Sequence, residues 1–438
     1  MSDELVFNNL ALSLNKPLTI GIVAGEASGD ALGGDFMAKM NALHPNVRWV
    51  GVGGDAMQKA GLTSLFDIKR LSVMGLVEVV KHLPDLLLAT KEILDAFCRH
   101  NIDIFVGIDA PDFNLRISKS LKNQSLIKPV FCVQYVSPSI WAWRENRIFN
   151  IKAVTDLVLC LFPFELPVYQ KHQHPAVCVG HPLLAKLSPD TRTDTEKFQA
   201  FLQKFSPNFP KLLQFTQNQQ KICLMPGSRL SEIHAILPLL VETMVWLNDK
   251  GDFCYLLPVI SQEHKDFIES FIQEAAPALS AKICIIFNQK SQFDINDCSS
   301  SASASAANYQ NLSVSQEIMN ISSLVILASG TATLEALLLH RPMIVVYKVN
   351  RFTYLLAKRL VKIPYVCLPN ILSFNQTRKP IVPELLQHDA NAENIGKHAL
   401  NILKHPLTQI HEQKITTDLL RQNSHANPAK VVLTYFFE

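Results

Sequence analysis

Short runs of β-branched and other apolar residues recur along the chain, and each is followed by turn residues and a longer segment with helical periodicity. Strands that alternate with helices in this way predict βαβ crossovers and parallel sheets. Two series of such runs predict an α/β fold with two Rossmann-like domains. The first series is LTIGIVAG, VRWVGVGG, IFVGIDAP, VFCVQYVSP, DLVLCLF and AVCVGHP, and the second is KICLMPGSR, FCYLLPVI, KICIIF, LVILASG, PMIVVYK and YVCLPN.

Prolines and a polar run interrupt the pattern between the two series. The segment VGHPLLAKLSPDTRTD contains Pro182 and Pro189, and we therefore predict a first domain over residues 1–190 and a second over residues 191–438. The second domain includes a small, polar, low-complexity segment at 288–315, which is typical of a mobile surface loop. The last helices could pack back on the first domain, and the sequence leaves this open.

The composition excludes some classes of protein. The 438 residues carry a formal net charge of only +3, which is too small to indicate nucleic-acid binding. The N-terminus lacks the features of a signal peptide, and no run of 18 apolar residues predicts a transmembrane helix. The nine cysteines are scattered without CxxC spacing, as in a protein of the reducing cytoplasm.

Ligands of open parallel sheets bind beyond the carboxyl ends of the strands, so the loops that follow the strands are the candidate sites. In MPGSRLSEIHAIL a strand ends, a Pro-Gly turn follows and a helix begins. The N–H groups of a helix N-terminus and an arginine suit a phosphate. A capped helix with a surface arginine is the structural alternative. The candidate residues are Gly227, Ser228 and Arg229.

The stretch LASGTATLEALL repeats this design in the same predicted domain. Small residues at Gly330 and Thr331 would let a diphosphate approach the backbone, and Thr333 lies in the first turn of the predicted helix. Glu335 could accept hydrogen bonds from ribose hydroxyls. Its structural alternative is to complement the helix dipole.

The stretch GEASGD does not have the GxGxxG spacing of a dinucleotide-binding loop, and its acids would repel a pyrophosphate. We interpret it as a loop that contacts sugar hydroxyls. The alternative is that Gly29 and Gly33 only allow the helix to pack close to the strand. The candidate residues are Glu26, Ser28, Gly29 and Asp30.

In VGIDAPDFN, Asp109 follows directly on a predicted strand and is therefore expected at the ligand-binding edge of the sheet. A carboxylate there could act as a general base that accepts a proton from an attacking hydroxyl. The alternative is that Asp109 and Asp112 cap the following helix.

The stretch VSPSIWAWRENRIFNIK combines aromatic and basic side chains. Trp141 and Trp143 would face the same side of an extended loop and could stack on a sugar, although core packing is a plausible role for at least one of them. Arg144 could hold a phosphate of a second substrate. We therefore take Trp143 and Arg144 as candidate substrate contacts.

The stretch MGLVEVVKHLPDLLLATKEIL predicts an amphipathic helix that Pro84 breaks. Packing on the core and contact with a membrane surface are both compatible with its apolar face. The candidate membrane contacts are Met74, Leu76, Val77, Val79, Val80 and Leu83.

Many of these stretches together resemble the family of lipid-A-disaccharide synthases. The motifs AGEASGD, VMGLVEVVKHL, VGIDAPDFN, YVSPSIWAWR, ATDLVL, PFE, VGHPL, LMPGSR, ASGTATLE, LAKRLVK and LPN occur in the family's order over nearly the whole chain. The serine-rich segment at 288–315 departs from the family's short connection.

The resemblance implies a GT-B glycosyltransferase, with two facing Rossmann-like domains and a cleft between them. It implies an acceptor-binding first domain and a UDP-sugar-binding second domain. The reaction it implies joins UDP-2,3-diacylglucosamine to 2,3-diacylglucosamine 1-phosphate with inversion, which gives a β(1→6) disaccharide 1-phosphate and UDP. Asp109 then matches the proposed base, and Asn370 of LPN matches a further UDP-site residue. Neither a metal nor another cofactor is implied.

The family's acylated substrates favour membrane contact, and they imply a peripheral enzyme on the cytoplasmic face of the inner membrane of a Gram-negative bacterium. A homodimer is also possible in this family. Two alternatives remain open at this stage. One is another GT-B enzyme, such as an N-acetylglucosaminyl transferase or a nucleotide-sugar epimerase, and the other is a non-catalytic protein that binds a nucleotide sugar or a lipid.

Overall fold

The computed structural model describes residues 17–71, 76–123, 128–287, 312–328, 330–348, 354, 363–423 and 426–438, and over 76–82 it describes the backbone alone. The chain divides into two compact units. The first comprises the chain up to Pro182 together with Leu420–Glu438, and the second comprises Leu183–Leu419. The division predicted at 190/191 lies close to the first of these boundaries.

The first unit contains a six-stranded sheet in which all neighbouring strands are parallel. Its strand order is β2-β1-β3-β4-β5-β6. The strands are β1 (Leu18–Ala24), β2 (Val47–Val52), β3 (Ile104–Ile108), β4 (Phe131–Tyr135), β5 (Leu157–Cys160) and β6 (Ala176–Cys178). The helices are α1 (Ala27–Leu43), α2 (Asp55–Lys59), α3 (Leu76–His100), α4 (Pro111–Asn123), α5 (Ile148–Val154) and α6 (Leu166–Lys171).

The second unit contains a second parallel sheet of six strands, in the order β12-β11-β10-β7-β8-β9. Its strands are β7 (Gln220–Met225), β8 (Phe253–Val259), β9 (Ile283–Phe287), β10 (Leu324–Ala328), β11 (Met343–Tyr347) and β12 (Glu384–Leu386). The helices are α7 (Leu183–Lys186), α8 (Asp194–Phe205), α9 (Leu230–Asn248), α10 (Gln262–Ala275), α11 (Val314–Ile321), α12 (Thr331–Leu338), α13 (Leu368–Thr377), α14 (Ala392–Lys404) and α15 (Pro406–Gln422).

The boundary between Leu419 and Leu420 falls within α15, and a last helix, α16 (Pro428–Phe437), belongs to the first unit. There α16 packs against α1 and β5, and the Phe436 ring lies 5.9 Å from that of Phe131. Short 3₁₀ turns complete the described structure, at Ile68–Arg70, Ser139–Trp141, Glu145–Arg147, Pro163–Glu165, Pro210–Gln214 and Pro277–Lys282.

The apolar runs that predicted the strands form the cores of the two units. All five residues of β3 are buried, as expected for a strand covered by helices on both faces. In the first unit Phe97 of α3 packs with Phe105 of β3 at a ring distance of 5.6 Å. In the second unit α9 supplies much of the core, including Ile236 and Leu240.

One helix among the described residues, Leu230–Asn248, has the length and mean hydropathy (1.4) of a membrane span, and half of the tested window is buried. This helix is α9, whose apolar residues lie in the core of the second unit. Of the eight cysteines within the described residues, six are buried, Cys178 is half-buried and Cys98 is exposed.

The structure corrects three sequence predictions. Pro84 does not break its helix, because α3 continues through it from Leu76 to His100. YVCLPN is not a strand, because α13 begins at Leu368 with a proline in its first turn, where a missing N–H costs nothing. The predicted loop at 288–315 ends early, because Ser313 caps α11, which begins at Val314; residues 288–311 lie outside the described residues.

Candidate active site and nucleotide-binding loops

The first sheet reverses its strand order between β1 and β3. Strand β2 lies on one side of β1, and β3 to β6 follow on the other. The crevice at such a switch point is the usual ligand site of an open parallel sheet. One loop begins at Gly25 after β1 and the other at Asp109 after β3. The two loops start side by side, since Ala24 is paired with Ile108. A Cβ placed on Gly25 would lie 3.1 Å from the Cβ of Ala110.

Asp109 occupies an unusual backbone conformation at this point. Its φ is 52° and that of Ala110 is 38°, both in the left-handed region that non-glycine residues rarely adopt. The Asp109 N–H donates to the Tyr135 carbonyl at 2.8 Å. Strained residues of this kind concentrate at functional sites, where the surrounding structure holds them in place.

The Asp109 carboxyl group has a raised pKa. Burial is the main cause, because it disfavours the charged form, and a hydrogen bond from the Ala110 backbone opposes it only in part. Within the described part of the chain no ion pair includes Asp109. A carboxylate that is poorly compensated in this way is a stronger base than an ordinary aspartate, which suits proton abstraction.

Asp112 has a different environment from Asp109. It lies in the first turn of α4, where a negative charge complements the helix dipole. Its side chain is 82% exposed and pairs with Arg147 at 2.5 Å. The structural alternative from the sequence therefore fits Asp112.

The predicted site residues after β1 differ in their surroundings, and Asp30 is the buried one among the side chains that carry a charge. Asp30 is buried and accepts backbone hydrogen bonds from Gly54 (2.8 Å), Ala56 (2.9 Å) and Met57 (3.0 Å). Its carboxylate therefore caps α2, which is the structural role of Asp30, and its assignment as a substrate contact stays a prediction. Sequence alone could not reveal these partners, because they lie more than twenty positions further along the chain.

The other residues of this loop lie at the N-terminus of α1. Ser28 is exposed and Glu26 is half-buried, at the carboxyl end of β1. Gly29 is buried, and a Cβ there would make an ordinary contact with Ala24 at 3.4 Å. A Cβ on Gly33 would come within 2.5 Å of the Met57 sulfur of α2 and 3.0 Å of the Ile108 side chain of β3, so close packing of α1 against both elements explains Gly33.

The tryptophan segment is not extended, because it contains the 3₁₀ turns Ser139–Trp141 and Glu145–Arg147. Trp141 packs edge-on against Phe164, with 4.6 Å between the ring centres, which is the core role expected for one tryptophan. Trp143 is half-buried, and the exposed Arg144 guanidinium lies 4.0 Å from its ring centre. This cation–π pair presents a flat, positively charged surface.

The second sheet reverses its strand order between β7 and β10. The two predicted phosphate loops leave these adjacent strands, since Met225 is paired with Leu327. Gly227 has a φ of 138°, and a Cβ there would lie 2.5 Å from the Cβ of Glu232. Only glycine fits this turn without displacing the first turn of α9.

Glu232 is a feature of this loop whose role the sequence did not reveal. Its carboxylate accepts the Ser228 N–H at 3.0 Å and pairs with the Arg229 guanidinium at 3.2 Å. It therefore engages the two groups that the sequence assigns to a phosphate. Side-chain exposures of 42% for Arg229 and 37% for Glu232 leave this pair accessible to a competing anion.

The loop after β10 presents the N-terminus of α12. Gly330 has open space around the position of a Cβ, and Thr331 is exposed. Thr333 is buried, and its hydroxyl donates to the Gly330 carbonyl at 2.7 Å. Thr333 thus fixes the turn, while the exposed end of the helix offers its N–H groups to an anion.

Glu335 is half-buried one turn further along α12. Burial raises the pKa of its carboxyl group, and a 2.8 Å hydrogen bond from the Gln316 side chain opposes this in part. Gln316 also accepts the Ser313 N–H at 3.0 Å, so it ties Glu335 to the start of α11. Sequence reasoning did not single out Gln316.

Asn370 has a structural role in this fold. Its side-chain oxygen accepts the N–H groups of Ile381 (2.9 Å) and Val382 (3.0 Å), and its amide nitrogen donates to the Val382 carbonyl (3.0 Å) and to Glu384 (3.3 Å). It is fully buried. Because every polar atom of the side chain is engaged within the fold, Asn370 anchors the segment before β12; its assignment to the UDP site stays a prediction.

The predicted membrane helix is α3. Met74 lies outside the described residues, as do the side chains of Leu76, Val77, Val79 and Val80. Of the described leucines, Leu83 is 40% exposed, Leu87 59% and Leu88 57%. Exposed leucines grouped on one helix form an apolar surface, which makes α3 a candidate interaction site.

Solved structures of low sequence identity share this architecture. A glycosyltransferase from Rickettsia africae has a TM-score of 0.53 at 15% identity, with 96% of each chain covered. The UDP-GlcNAc 2-epimerase from Neisseria meningitidis, bound to UDP-GlcNAc, has a TM-score of 0.53 at 10% identity, with 93% of this chain and 100% of that chain covered. The fold is therefore of the GT-B class.

Sequence comparison narrows this class to one family. The family model for lipid-A-disaccharide synthetase matches residues 20–293 and 285–433. The lipid-A-disaccharide synthase of Acinetobacter baylyi is 41% identical over 406 residues, covering 92% of this chain and 93% of the relative. That of Alteromonas mediterranea is 36% identical over 430 residues, covering 97% and 100%. The chain belongs to the lipid-A-disaccharide synthase family, which confirms the resemblance stated from its motifs.

Proposed function

We propose that this enzyme joins UDP-2,3-diacylglucosamine to 2,3-diacylglucosamine 1-phosphate and releases UDP. Family membership over most of the chain is the observation that carries this proposal. The 6-hydroxyl of the acceptor attacks the anomeric carbon of the donor from the side opposite the diphosphate. A single displacement of this kind inverts the α-linked donor into a β(1→6) disaccharide 1-phosphate.

Asp109 is the proposed general base. The bond between the acceptor oxygen and the donor carbon forms while the hydroxyl proton moves to the Asp109 carboxylate. The raised pKa of Asp109 and its position at the β1/β3 switch point support this role. The proposed acceptor contacts of the same unit are the half-buried Glu26 and the exposed Ser28 of the neighbouring loop, which precede the buried Gly29, and the Trp143–Arg144 pair.

The leaving diphosphate departs with the electron pair of its bond to the sugar. We propose that Gly227, Ser228 and Arg229 receive it, because a guanidinium and N–H groups at a helix N-terminus stabilise a developing negative charge. The diphosphate takes the place of the Glu232 carboxylate on these groups. At the neighbouring loop, Gly330 and Thr331 offer further N–H groups to the diphosphate, and Thr333 holds the turn. Glu335 accepts hydrogen bonds from the ribose hydroxyls.

The direct test is to incubate purified protein with both acylated sugars and to measure products. We expect UDP and disaccharide in equal amounts, with a β anomeric proton by NMR. An acceptor that lacks the 6-hydroxyl is the matched control, and it should yield no disaccharide because the nucleophile is missing.

The same experiment separates the alternatives. Conversion of the UDP-sugar to its epimer without acceptor would identify an epimerase. Binding of both sugars without release of UDP would identify a non-catalytic protein. Turnover should persist in the presence of a chelator, because the proposed stabilisation of the diphosphate uses helix ends and arginine and no metal.

Membrane association is part of the proposal. The exposed Leu83, Leu87 and Leu88 on α3 support a peripheral contact with the cytoplasmic face of the inner membrane of a Gram-negative bacterium, where acylated substrates reside. The nearby Arg70 adds little charge, because it pairs with Asp85 at 2.7 Å and Glu92 at 2.8 Å.

Vesicle co-sedimentation tests this contact. Replacement of both Leu87 and Leu88 by serine should weaken binding to phosphatidylglycerol vesicles about tenfold, because apolar area no longer leaves water. Leu407→Ser is the matched control, since Leu407 is 76% exposed on α15 of the other unit. Equal binding by the double variant and the control would argue against α3. Light scattering tests whether this protein forms the homodimer that the family allows.

A further inference from the structure

We propose that Asn114 and Gln134 are positioning residues, which hold the main chain of Asp109 in its left-handed conformation and so direct its carboxylate toward the acceptor hydroxyl. This inference rests on the proposed function, since it takes Asp109 as the general base. Asn114 is the last residue of the stretch VGIDAPDFN and Gln134 lies in the strand run VFCVQYVSP, but the sequence suggested a chemical role for neither side chain.

Three strained residues meet where β3 and β4 end. Asp109 and Ala110 have positive φ, and Val136, one residue after β4, has a φ of 79°. A β-branched residue at positive φ is a true outlier, because its branched side chain crowds the backbone. The two turns are joined, since the Asp109 N–H donates to the Tyr135 carbonyl. Such strain persists only where other contacts offset it.

Two buried amides supply those contacts. The Asn114 amide nitrogen donates to the carbonyls of Ile108 (3.2 Å) and Asp109 (2.9 Å). The Gln134 amide nitrogen donates to the carbonyls of Asp109 (3.1 Å) and Val136 (3.3 Å). The Asp109 carbonyl therefore receives a hydrogen bond from each side chain, and Gln134 bridges both strained turns.

The side-chain oxygens of these two amides indicate that Asn114 and Gln134 do more than pack in the core. Asn114 is fully buried and Gln134 is 1% exposed, and the side-chain oxygen of each has no hydrogen-bond partner within the described residues. A buried polar atom without a partner is destabilising, and an apolar side chain of similar size would avoid that cost. The N–H groups that they donate to the strained carbonyls offset it.

The surrounding backbone makes room for this arrangement. A Cβ on Gly107 would lie 2.7 Å from the Cβ of Asn114, so the glycine in β3 is what lets Asn114 reach the end of the strand. Without the amides, Asp109 can relax toward an ordinary φ, which turns its Cα–Cβ bond away from the present direction. The carboxyl group would then gain water and lose the raised pKa that burial gives it.

The test is Gln134→Met, which keeps the volume of the side chain and removes its donors. We expect kcat to fall at least tenfold while KM and the Kd for UDP stay within twofold, and the acid limb of the pH profile to move to lower pH. Gln413→Met is the matched control: Gln413 is also buried, donates to a loop carbonyl (Arg341, 2.8 Å) and has an unpartnered side-chain oxygen. It should keep the normal kcat and pH profile.

A double-mutant cycle separates this inference from the proposed function. In an Asp109→Asn background, Gln134→Met should cause no further loss of kcat, because the group that it positions is already gone. Independent losses in the double variant, a normal kcat in Gln134→Met, or an equal loss in Gln413→Met would each overturn the positioning role. If Asp109→Asn alone keeps full activity, the base assignment fails first. Asn114→Ser carries the same test if Gln134→Met does not fold.

Discussion

The turn after β3 in the first unit and the turn after β7 in the second both follow a strand that borders the switch point of its sheet, but their chemistry is opposite. Both leave a switch point, and both contain a residue at positive φ, Asp109 at 52° and Gly227 at 138°. At β3 the residue is an aspartate with a raised pKa. At β7 a glycine lets the Glu232 carboxylate lie against the Ser228 N–H and Arg229.

On the proposed assignments, a switch point of the same kind carries a base in one unit and an anion site in the other. In the β3 turn, burial raises the pKa of the Asp109 carboxyl group and no ion pair within the described residues offsets this, so the carboxylate readily accepts a proton. The β7 turn gathers N–H groups and a guanidinium, so it attracts a negative group, which within the chain itself is Glu232. Substitutions in the two turns should therefore affect different measured quantities, kcat in the first and UDP affinity in the second.

The largest effect is expected from Asp109→Asn, which keeps the shape of the side chain and removes its basicity. We expect kcat to fall by about 10²- to 10⁴-fold, the usual contribution of a general base. Steady-state release of UDP measures it. Asp112→Asn, on the exposed neighbour, is the control and should leave kcat within twofold. Full activity in Asp109→Asn would remove this residue from the mechanism.

Arg229→Ala should weaken the affinity for UDP. Loss of a charge-assisted hydrogen bond of about 1.5–3 kcal/mol predicts UDP binding weakened by roughly 10- to 100-fold in calorimetry. Lys250→Ala, two residues beyond the C-terminal end of α9, controls for the general loss of a positive charge. An unchanged Kd for UDP in Arg229→Ala would contradict the diphosphate assignment.

The pH dependence of kcat/KM should report the raised pKa of Asp109. Only the deprotonated carboxylate accepts a proton, so activity should be lost as pH falls through that pKa, by about tenfold for each pH unit below it. The acid limb of this pH profile should lie above the ordinary aspartate pKa, since burial raises the pKa of Asp109. It should be missing from the residual activity of Asp109→Asn. A limb at the ordinary aspartate value would show that the carboxyl group is well hydrated.

The smallest effect is expected from Glu232→Gln. The amide oxygen can still accept the Ser228 N–H, but the negative charge that competes with a diphosphate is gone. Since the pair with Arg229 is partly exposed, its contribution is modest, at most about 1 kcal/mol, and UDP should bind a few-fold more tightly. Weaker binding would mean that Glu232 orients Arg229 for the nucleotide and does not compete with it.

The alternation of strands and helices predicted the α/β architecture, because buried parallel strands and amphipathic helices have different periodicities. It also placed Asp109, Gly227 and Gly330 at strand ends, where their loops lie in the structure. It failed at YVCLPN, where an apolar run of strand-like composition precedes a helix that begins with a proline. Short apolar runs cannot be assigned by periodicity alone.

The roles of individual polar side chains were harder to predict. Asp30 caps α2 and Asn370 anchors the segment before β12, and both depend on backbone groups that only the fold brings near. Gln134 likewise bonds to the carbonyl of Asp109, 25 positions away. Sequence spacing carries no information about such contacts, so motif residues that look alike divide into site and scaffold only in three dimensions.

The division of labour between the two turns is tested most directly by the UDP affinity of the Asp109→Asn variant, measured by calorimetry on the same sample that has lost turnover. We expect a Kd for UDP within twofold of the unmodified enzyme, because the proposed nucleotide contacts all belong to the other unit. A loss of UDP binding that parallels the loss of kcat would contradict this division.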